Sequence, residues 1–170
     1  MPTHLVVDSP CGPLTLVAEG DALRGLYMHQ QRHRPADLTF GERSAGAEIF
    51  DRTRAQLEEY FAGTRREFDL PLAFRGTPFQ QAVWTALLDI PYGETASYGE
   101  LAQLLGKPSA ARAVGLANGK NPISIVVPCH RVIGSTGSLT GYGGGLERKE
   151  YLLGFERRRP TSREAASTVV

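Results

Sequence analysis

The chain has 170 residues, enough for one ordinary domain or two very small ones, and its 41% hydrophobic content plus 19 glycines excludes an intrinsically disordered protein. No apolar run approaches the ~18 residues of a membrane span, and Met1-Pro2-Thr3-His4 does not begin a secretory leader, so no membrane partner and a cytoplasmic setting are expected. Its two cysteines, Cys11 and Cys129, allow at most one disulfide and cannot build a Cys-rich zinc site, and its formal net charge of +1 imposes no strong field.

The first half reads as a β-meander followed by a helix. Residues 4–7, 14–17 and 23–28 are short apolar runs separated by Ser9-Pro10-Cys11-Gly12-Pro13 and Gly20-Asp21. Residues 30–44 are polar and read as irregular. Residues 45–62 place Ile49, Phe50, Leu57, Tyr60 and Phe61 on one helical side, with Gly63 as the stop. Phe68, Leu70 and Leu72 alternate as a strand would.

A second unit starts at Thr77. Thr77, Pro78 and Gln80 have the spacing of a capping box with proline at the first helical position. Phe79, Ala82, Val83, Ala86, Leu87 and Ile90 then form a helix face, which Pro91-Tyr92-Gly93 closes. Ser97 and Glu100 are a second capping box, opening a short helix with Leu101, Leu104 and Leu105 inward. After Gly106-Lys107-Pro108, Ser109 is expected to cap a helix from Ala110 to about Asn118, stopped by Gly119. Two short helices around a glycine-containing turn make a helix-turn-helix candidate. The small residues Ala110, Ala111, Ala113, Gly115 and Ala117 suit close approach to a nucleic-acid backbone and equally suit tight internal packing.

Charge is distributed unevenly. No Asp or Glu lies between Glu100 and Glu147, while Lys107, Arg112, Lys120 and Arg131 do. Such a window suits an anion, phosphate being the commonest, although a Gly/Ala-rich stretch can lack acids by chance. Ile123 to Val127 is β-branched and apolar, as a buried strand would be, and Pro128 halts it. Cys129-His130-Arg131 and Val132-Ile133 follow, then a glycine-dense loop over 134–145 and a last helix over about 146–155 with Leu152 and Leu153 inward. Residues 157–170, opening Arg157-Arg158-Arg159-Pro160, read as a flexible basic tail.

Cys129 is the chemically suggestive residue. A free thiol is only slightly ionised at neutral pH, so a nucleophile needs a base or a positive environment. His130 and Arg131 adjoin Cys129, and the nearest acids are Glu100 and Glu147. Neighbours in a regular strand point to opposite faces, so His130 reaches the sulfur only through a turn or a bridging water. Cys129 as a small buried hydrophobe is the competing reading. A zinc site and a cysteine protease do not fit, because the remaining ligands are scattered and a protease draws its histidine from a distant segment. Gly141 to Leu146 lacks the dinucleotide fingerprint.

The segment Ile125-Val126-Val127-Pro128-Cys129-His130-Arg131-Val132-Ile133 resembles the active-site signature of the O6-alkylguanine-DNA alkyltransferases, also called methylated-DNA–protein-cysteine methyltransferases. The resemblance extends through Pro91-Tyr92-Gly93-Glu94-Thr95, Ser97-Tyr98, Ala110 to Gly115, Asn121-Pro122, Gly141 to Gly145 and Glu156. It is weaker in residues 9–14 and in Tyr60-Phe61-Ala62-Gly63. It implies an α+β fold with a ribonuclease-H-like N-terminal domain (1–76), a largely helical C-terminal domain with the helix-turn-helix (77–156) and the tail (157–170). The implied reaction is irreversible, single-turnover transfer of the alkyl group from O6-alkylguanine in DNA to Cys129, with O4-alkylthymine as an additional candidate substrate. His130 would be the base, Glu156 its orienting carboxylate, Asn121 a hinge, and Tyr98 a donor to the departing purine. Val132, Tyr142, Gly143 and Asn118 would line the substrate pocket. Arg112 would fill the stack vacated by a flipped-out base, with Ala110 and Ala111 against the DNA backbone in the minor groove and Lys107 and Ser135 on phosphates. Neither a cofactor nor a metal is implied, and a monomer on double-stranded DNA is expected. A lesion-binding module without chemistry and a plain helix-turn-helix regulator are the rival functions; Cys129 argues against the first.

Overall fold

The computed structural model describes residues 2–29, 31, 34–134 and 145–158. Strands β1 (Thr3–Val7), β2 (Leu14–Glu19) and β3 (Ala22–Met28) form the expected antiparallel meander. The stretch read as irregular contributes a fourth strand, β4 (Glu42–Arg43), which pairs parallel to β1, so the sheet order is β3-β2-β1-β4. A 3-10 turn precedes it at Asp37–Phe40. Phe40 stacks on Tyr27 of β3 at 5.3 Å, and the Arg34 guanidinium lies over Phe40. A polar segment thus covers the sheet face that α1 does not, which is why every β2 residue from Leu14 to Ala18 is buried. Helix α1 (Glu48–Ala62) buries Ile49, Phe50, Leu57 and Tyr60. Gly63 ends it in the left-handed conformation at φ 84, which a residue without Cβ adopts cheaply.

Residues 68–72 do not form the expected strand. Only Leu72 bridges Leu23, and Pro71 lacks the N–H that a continued ladder would need. Helix α2 (Pro78–Leu87) opens with both hydrogen bonds of the capping box. Val83, Leu87 and Ile90 of the expected face are buried and Phe79 and Ala86 pack against the core, whereas Ala82 is exposed and Trp84 joins the buried side. Trp84 lies inside because its Nε1 donates to the Ala117 carbonyl at 2.8 Å, satisfying the indole N–H in the core.

Helix α3 (Tyr98–Leu104) follows the Ser97/Glu100 box. Leu101 and Ala102 are buried, whereas Leu104 is 77% exposed, contrary to its expected inward place. Helix α4 (Ala111–Gly119) starts after Ala110, and Ser109 makes no cap; Ala110 N–H bonds Lys107 O instead, so the turn is longer than the three residues expected. Strand β5 (Ala96–Ser97) pairs parallel to β6 (Val132–Ile133). Helix α5 (Leu146–Arg158) closes the fold with Leu152 and Leu153 buried as expected. Together these elements make an α+β protein.

Residues 123–127 are buried as expected but do not form a strand. Ile123 bridges Leu26, and the chain then folds through tight turns, with Val126 N–H to Ser124 O at 2.8 Å and Cys129 N–H to Val127 O at 2.8 Å. Ile125 has φ 70, a left-handed conformation that costs a β-branched residue about 1–3 kcal/mol.

Candidate active site

Cys129, His130 and Arg131 occupy a 3-10 turn between the irregular segment and β6. That turn answers the geometric difficulty of adjacent strand residues, because it frees the three side chains from strict alternation. All three are buried, with Cys129 at 3% and His130 at 0% exposure.

Asn121 holds the approach to this turn. Its Nδ2 donates to Val127 O at 2.8 Å, and its Oδ1 accepts from Ile123 N–H at 3.0 Å. A side-chain amide therefore supplies the partners that a neighbouring strand would otherwise give. Asn118 lies in α4 and is 1% exposed; its Nδ2 reaches the Cys129 carbonyl at 3.3 Å. The helix pair is thus fastened to the backbone of the cysteine itself.

Glu156, from α5, is the electrostatic centre. Its Oε2 contacts His130 Nε2 at 2.7 Å and accepts from Tyr60 Oη at 2.7 Å and from Arg131 at 3.0 Å. Its Oε1 accepts from Arg131 Nε at 2.9 Å and from Gly93 N–H at 3.4 Å. Burial alone would raise this carboxyl, but the hydrogen bonds and charges of His130 and Arg131 outweigh it and hold Glu156 well below the usual carboxylate range. Because a carboxylate only accepts, His130 Nε2 carries a hydrogen and Nδ1 presents a lone pair. That Nδ1 is buried and has no hydrogen-bond partner among the described residues. Burial, aided by repulsion from Arg131 and Lys149, keeps the imidazole pKa below its ordinary value despite Glu156. A neutral imidazole with a free lone pair is what a general base requires.

The Cys129 thiol is pushed up to about 11 by burial; a hydrogen bond from the Asn121 side chain and the Lys149 charge pull the other way. Left to itself, the thiol stays protonated at neutral pH. Lys149, fully buried in α5, donates to the Val132 carbonyl, and burial lowers its pKa to about 8 against the opposing pull of a Cys129 thiolate. The site therefore contains a protonated thiol, an imidazole lone pair without a partner among the described residues, an anchored carboxylate and a buried ammonium.

On the outer side, Arg112 is exposed in α4, and Lys107 is exposed in the preceding turn, with its Nζ over the Phe79 ring at 5.4 Å. Ala110 and Ala111 are half-buried at the start of α4. The Tyr98 ring lies where a Cβ on Gly115 would meet it at 3.7 Å, so α3 and α4 approach closely there. Of the four cations in the acid-free window, Lys107, Arg112 and Lys120 face solvent, while Arg131 is spent internally on Glu156.

The family described as "6-O-methylguanine DNA methyltransferase, DNA binding domain" matches residues 78–158, and its "ribonuclease-like domain" matches residues 4–74. The chain belongs to the 6-O-methylguanine DNA methyltransferase family. It is 58% identical over 156 residues to the methylated-DNA–protein-cysteine methyltransferase of Mycobacterium tuberculosis, covering 92% of this chain and 93% of that one. It is 47% identical over 153 residues to the protein of that name from Methanosarcina acetivorans, covering 90% and 97%. The crystal structure of Mycobacterium tuberculosis OGT in complex with DNA matches at TM-score 0.87 and 55% identity, covering 92% of this chain and 94% of that one. The structure of Mycobacterium tuberculosis O6-methylguanine methyltransferase matches at TM-score 0.88 and 53% identity, covering 98% and 99%.

Within this member of the methyltransferase family, Cys129, His130, Asn121 and Glu156 converge, and Tyr98 and Arg112 sit on the adjoining helix pair. Val132 is buried, and its carbonyl is occupied by Lys149. Asn118 is packed beneath the cysteine backbone rather than exposed for a ligand. Tyr142, Gly143 and Ser135 lie outside the described residues. Sequence reasoning passed over Lys149, the inward course of Arg131, and Tyr60. Lys149 and Glu156 are separated by two helical turns, a spacing that puts both on one face of α5 and could have flagged the lysine.

Proposed function

We propose that this chain repairs DNA by transferring the alkyl group from O6 of a guanine to its own Cys129, once per protein molecule. The observation that carries this reading is the histidine that follows the cysteine: His130 has Nε2 held by Glu156, and its Nδ1 has no hydrogen-bond partner among the described residues. Nδ1 accepts the thiol proton, directly or through one water. The thiolate attacks the alkyl carbon; a C–S bond forms as the C–O bond breaks, and the electron pair returns to the purine. Tyr98 donates a proton to the purine nitrogen and regains one from the His130 imidazolium through solvent, so that the thiol proton is the one that ends on guanine. Guanine is restored, the thioether stays on Cys129, and no cofactor enters the balance.

DNA is the partner, and α3 and α4 present its surface. The alkylated base is rotated out of the duplex toward Cys129, and exposed Arg112 takes its place in the stack. Ala110 and Ala111 let the backbone approach α4 from the minor groove, and Lys107 meets a phosphate. Leu116 is 64% exposed one turn beyond Arg112, adding an apolar group to the same face. Sequence-independent contacts of this kind suit a protein that must find a lesion anywhere. Residues 1–76 and 77–156 are read as its two domains, acting as a monomer.

The test is incubation with duplex DNA carrying O6-methylguanine, followed by intact-protein and peptide mass spectrometry. One methyl group on Cys129, saturating at one equivalent, is the expected result. Unmodified protein that binds the lesion would make it a recognition module, and indifference to the lesion would make it a plain helix-turn-helix binder.

A further inference from the structure

Glu156 is reached by a residue that lies far from it in sequence and outside the DNA-binding domain. Tyr60, in the last turn of α1, is fully buried and donates its hydroxyl to Oε2, the same oxygen that engages His130 Nε2. Its ring is fixed by a cluster drawn from both halves of the chain: Phe61 at 5.0 Å, Phe68 at 5.4 Å, Phe155 at 5.5 Å and Tyr92 at 6.1 Å. Packing alone would be served by phenylalanine. The hydroxyl therefore needs its own reason, and it donates to the carboxylate that holds His130.

We propose that Tyr60 is a positioning residue contributed by the N-terminal domain, holding the Glu156 carboxylate in register with His130 and setting how strongly that carboxylate supports the base serving Cys129. This rests on the alkyl-transfer reading above. The oxygen shared by Tyr60 and His130 has limited electron density to give, so a stronger phenol donor leaves less for the imidazole. Tyr60 thus keeps Glu156 anchored while preventing it from over-stabilising the protonated imidazole. The other groups facing this carboxylate are Arg131, with Tyr92 against its guanidinium, and the Gly93 N–H, while Lys149 acts on His130 from α5. None of these changes when the Tyr60 hydroxyl is altered. The N-terminal domain thereby acts on the chemistry through one hydrogen bond.

The experiment measures the second-order rate of methyl transfer from O6-methylguanine DNA as a function of pH, for the full chain. Its acid limb reports protonation of the base. Tyr60→Phe removes a donor, so the carboxylate supports the imidazolium better and the acid limb moves to higher pH, by roughly half a unit for a hydrogen bond to a charged group. Placing 3-fluorotyrosine at position 60 strengthens the donor at nearly constant shape and moves the limb to lower pH. Phe61→Leu loosens the same cluster without touching the carboxylate and leaves the limb in place. A limb that stays put in both Tyr60 variants, moves the same way in both, or moves equally in Phe61→Leu overturns the proposal. If Tyr60→Phe does not fold, the fluorotyrosine protein alone decides. Absence of transfer by the unaltered protein would overturn the proposed function along with this one; transfer with an unmoved limb overturns this one only.

Discussion

Strand β2 and residues 123–127 are both buried, apolar stretches, yet they are built differently. β2 is paired on both edges, with Leu16 opposite Leu5 on one side and Leu26 on the other, so its backbone is satisfied by neighbouring strands. Residues 123–127 share a single bridge with Leu26, and the rest of their backbone turns back on itself or meets the Asn121 side chain. The difference teaches that hydrophobic composition predicts burial, while regularity depends on whether a partner edge is available. The irregular stretch is also the one that delivers Cys129 and His130 into a turn. A ladder there would send the two side chains to opposite faces.

The largest effect is expected at the end of the irregular stretch. Cys129→Ser should abolish methyl transfer, read by intact mass, while duplex affinity, read by fluorescence anisotropy, stays close to that of the parent protein. Residual transfer at the parent rate would show that the sulfur is not the acceptor.

Asn121→Ala and Leu16→Ala compare the two regions directly. The first leaves the Ile123 N–H buried without its partner, at about 1–3 kcal/mol, and leaves the Val127 carbonyl with the Cys129 N–H alone. The second deletes core volume in β2 at about 2–5 kcal/mol. Denaturant unfolding should find similar losses of stability. Single-turnover transfer below the unfolding transition should separate them: Asn121→Ala loses rate at least ~10-fold, whereas the folded Leu16→Ala protein keeps it. Equal rates would mean that the amide only holds structure.

Local chemistry explains what was legible in the sequence. The boxes at Thr77/Gln80 and Ser97/Glu100 are formed by side chains bonding backbone three residues away, so a short window contains the whole signal. Ser109 looked equally suitable but lost to a backbone turn at Lys107–Ala110. Leu104, expected inward, is exposed, because tertiary contacts decide the inward face when apolar residues are plentiful. For the site, Cys129 and His130 declare themselves by adjacency. Glu156 was reached only through family likeness, because nothing local ties it to His130. Tyr60, 96 residues from Glu156, carries no local sign of its role.

A smaller effect belongs to the exposed face of α4. Arg112→Ala should slow repair of duplex DNA by about 10-fold or more while leaving reaction with free O6-methylguanine nearly unchanged, because extrusion costs a few kcal/mol only when a stack must be opened. The two rates, measured by methyl transfer to the protein, need only be compared with each other. Equal losses would move Arg112 from base extrusion to the chemistry itself.

The smallest effect is a pH dependence of stability at Lys149, on the Val132 side of the irregular region. Its folded pKa is about 8 against an ordinary 10.5, so between those values the unfolded chain holds more protons than the folded one. Stability from this group therefore rises with pH, beginning near 8. Cys129 acts oppositely above about 9, where the unfolded thiol ionises before the folded one, whose pKa is about 11. The informative window is thus pH 7.5 to 9. Chemical denaturation of the parent protein and Lys149→Met across that window should find the stability difference moving in favour of the parent as pH rises, since Met has nothing to titrate. A difference that does not change with pH would mean that Lys149 keeps its proton throughout and is fully compensated by the Val132 carbonyl. The turn around Cys129 would then sit in a more polar setting than its burial indicates.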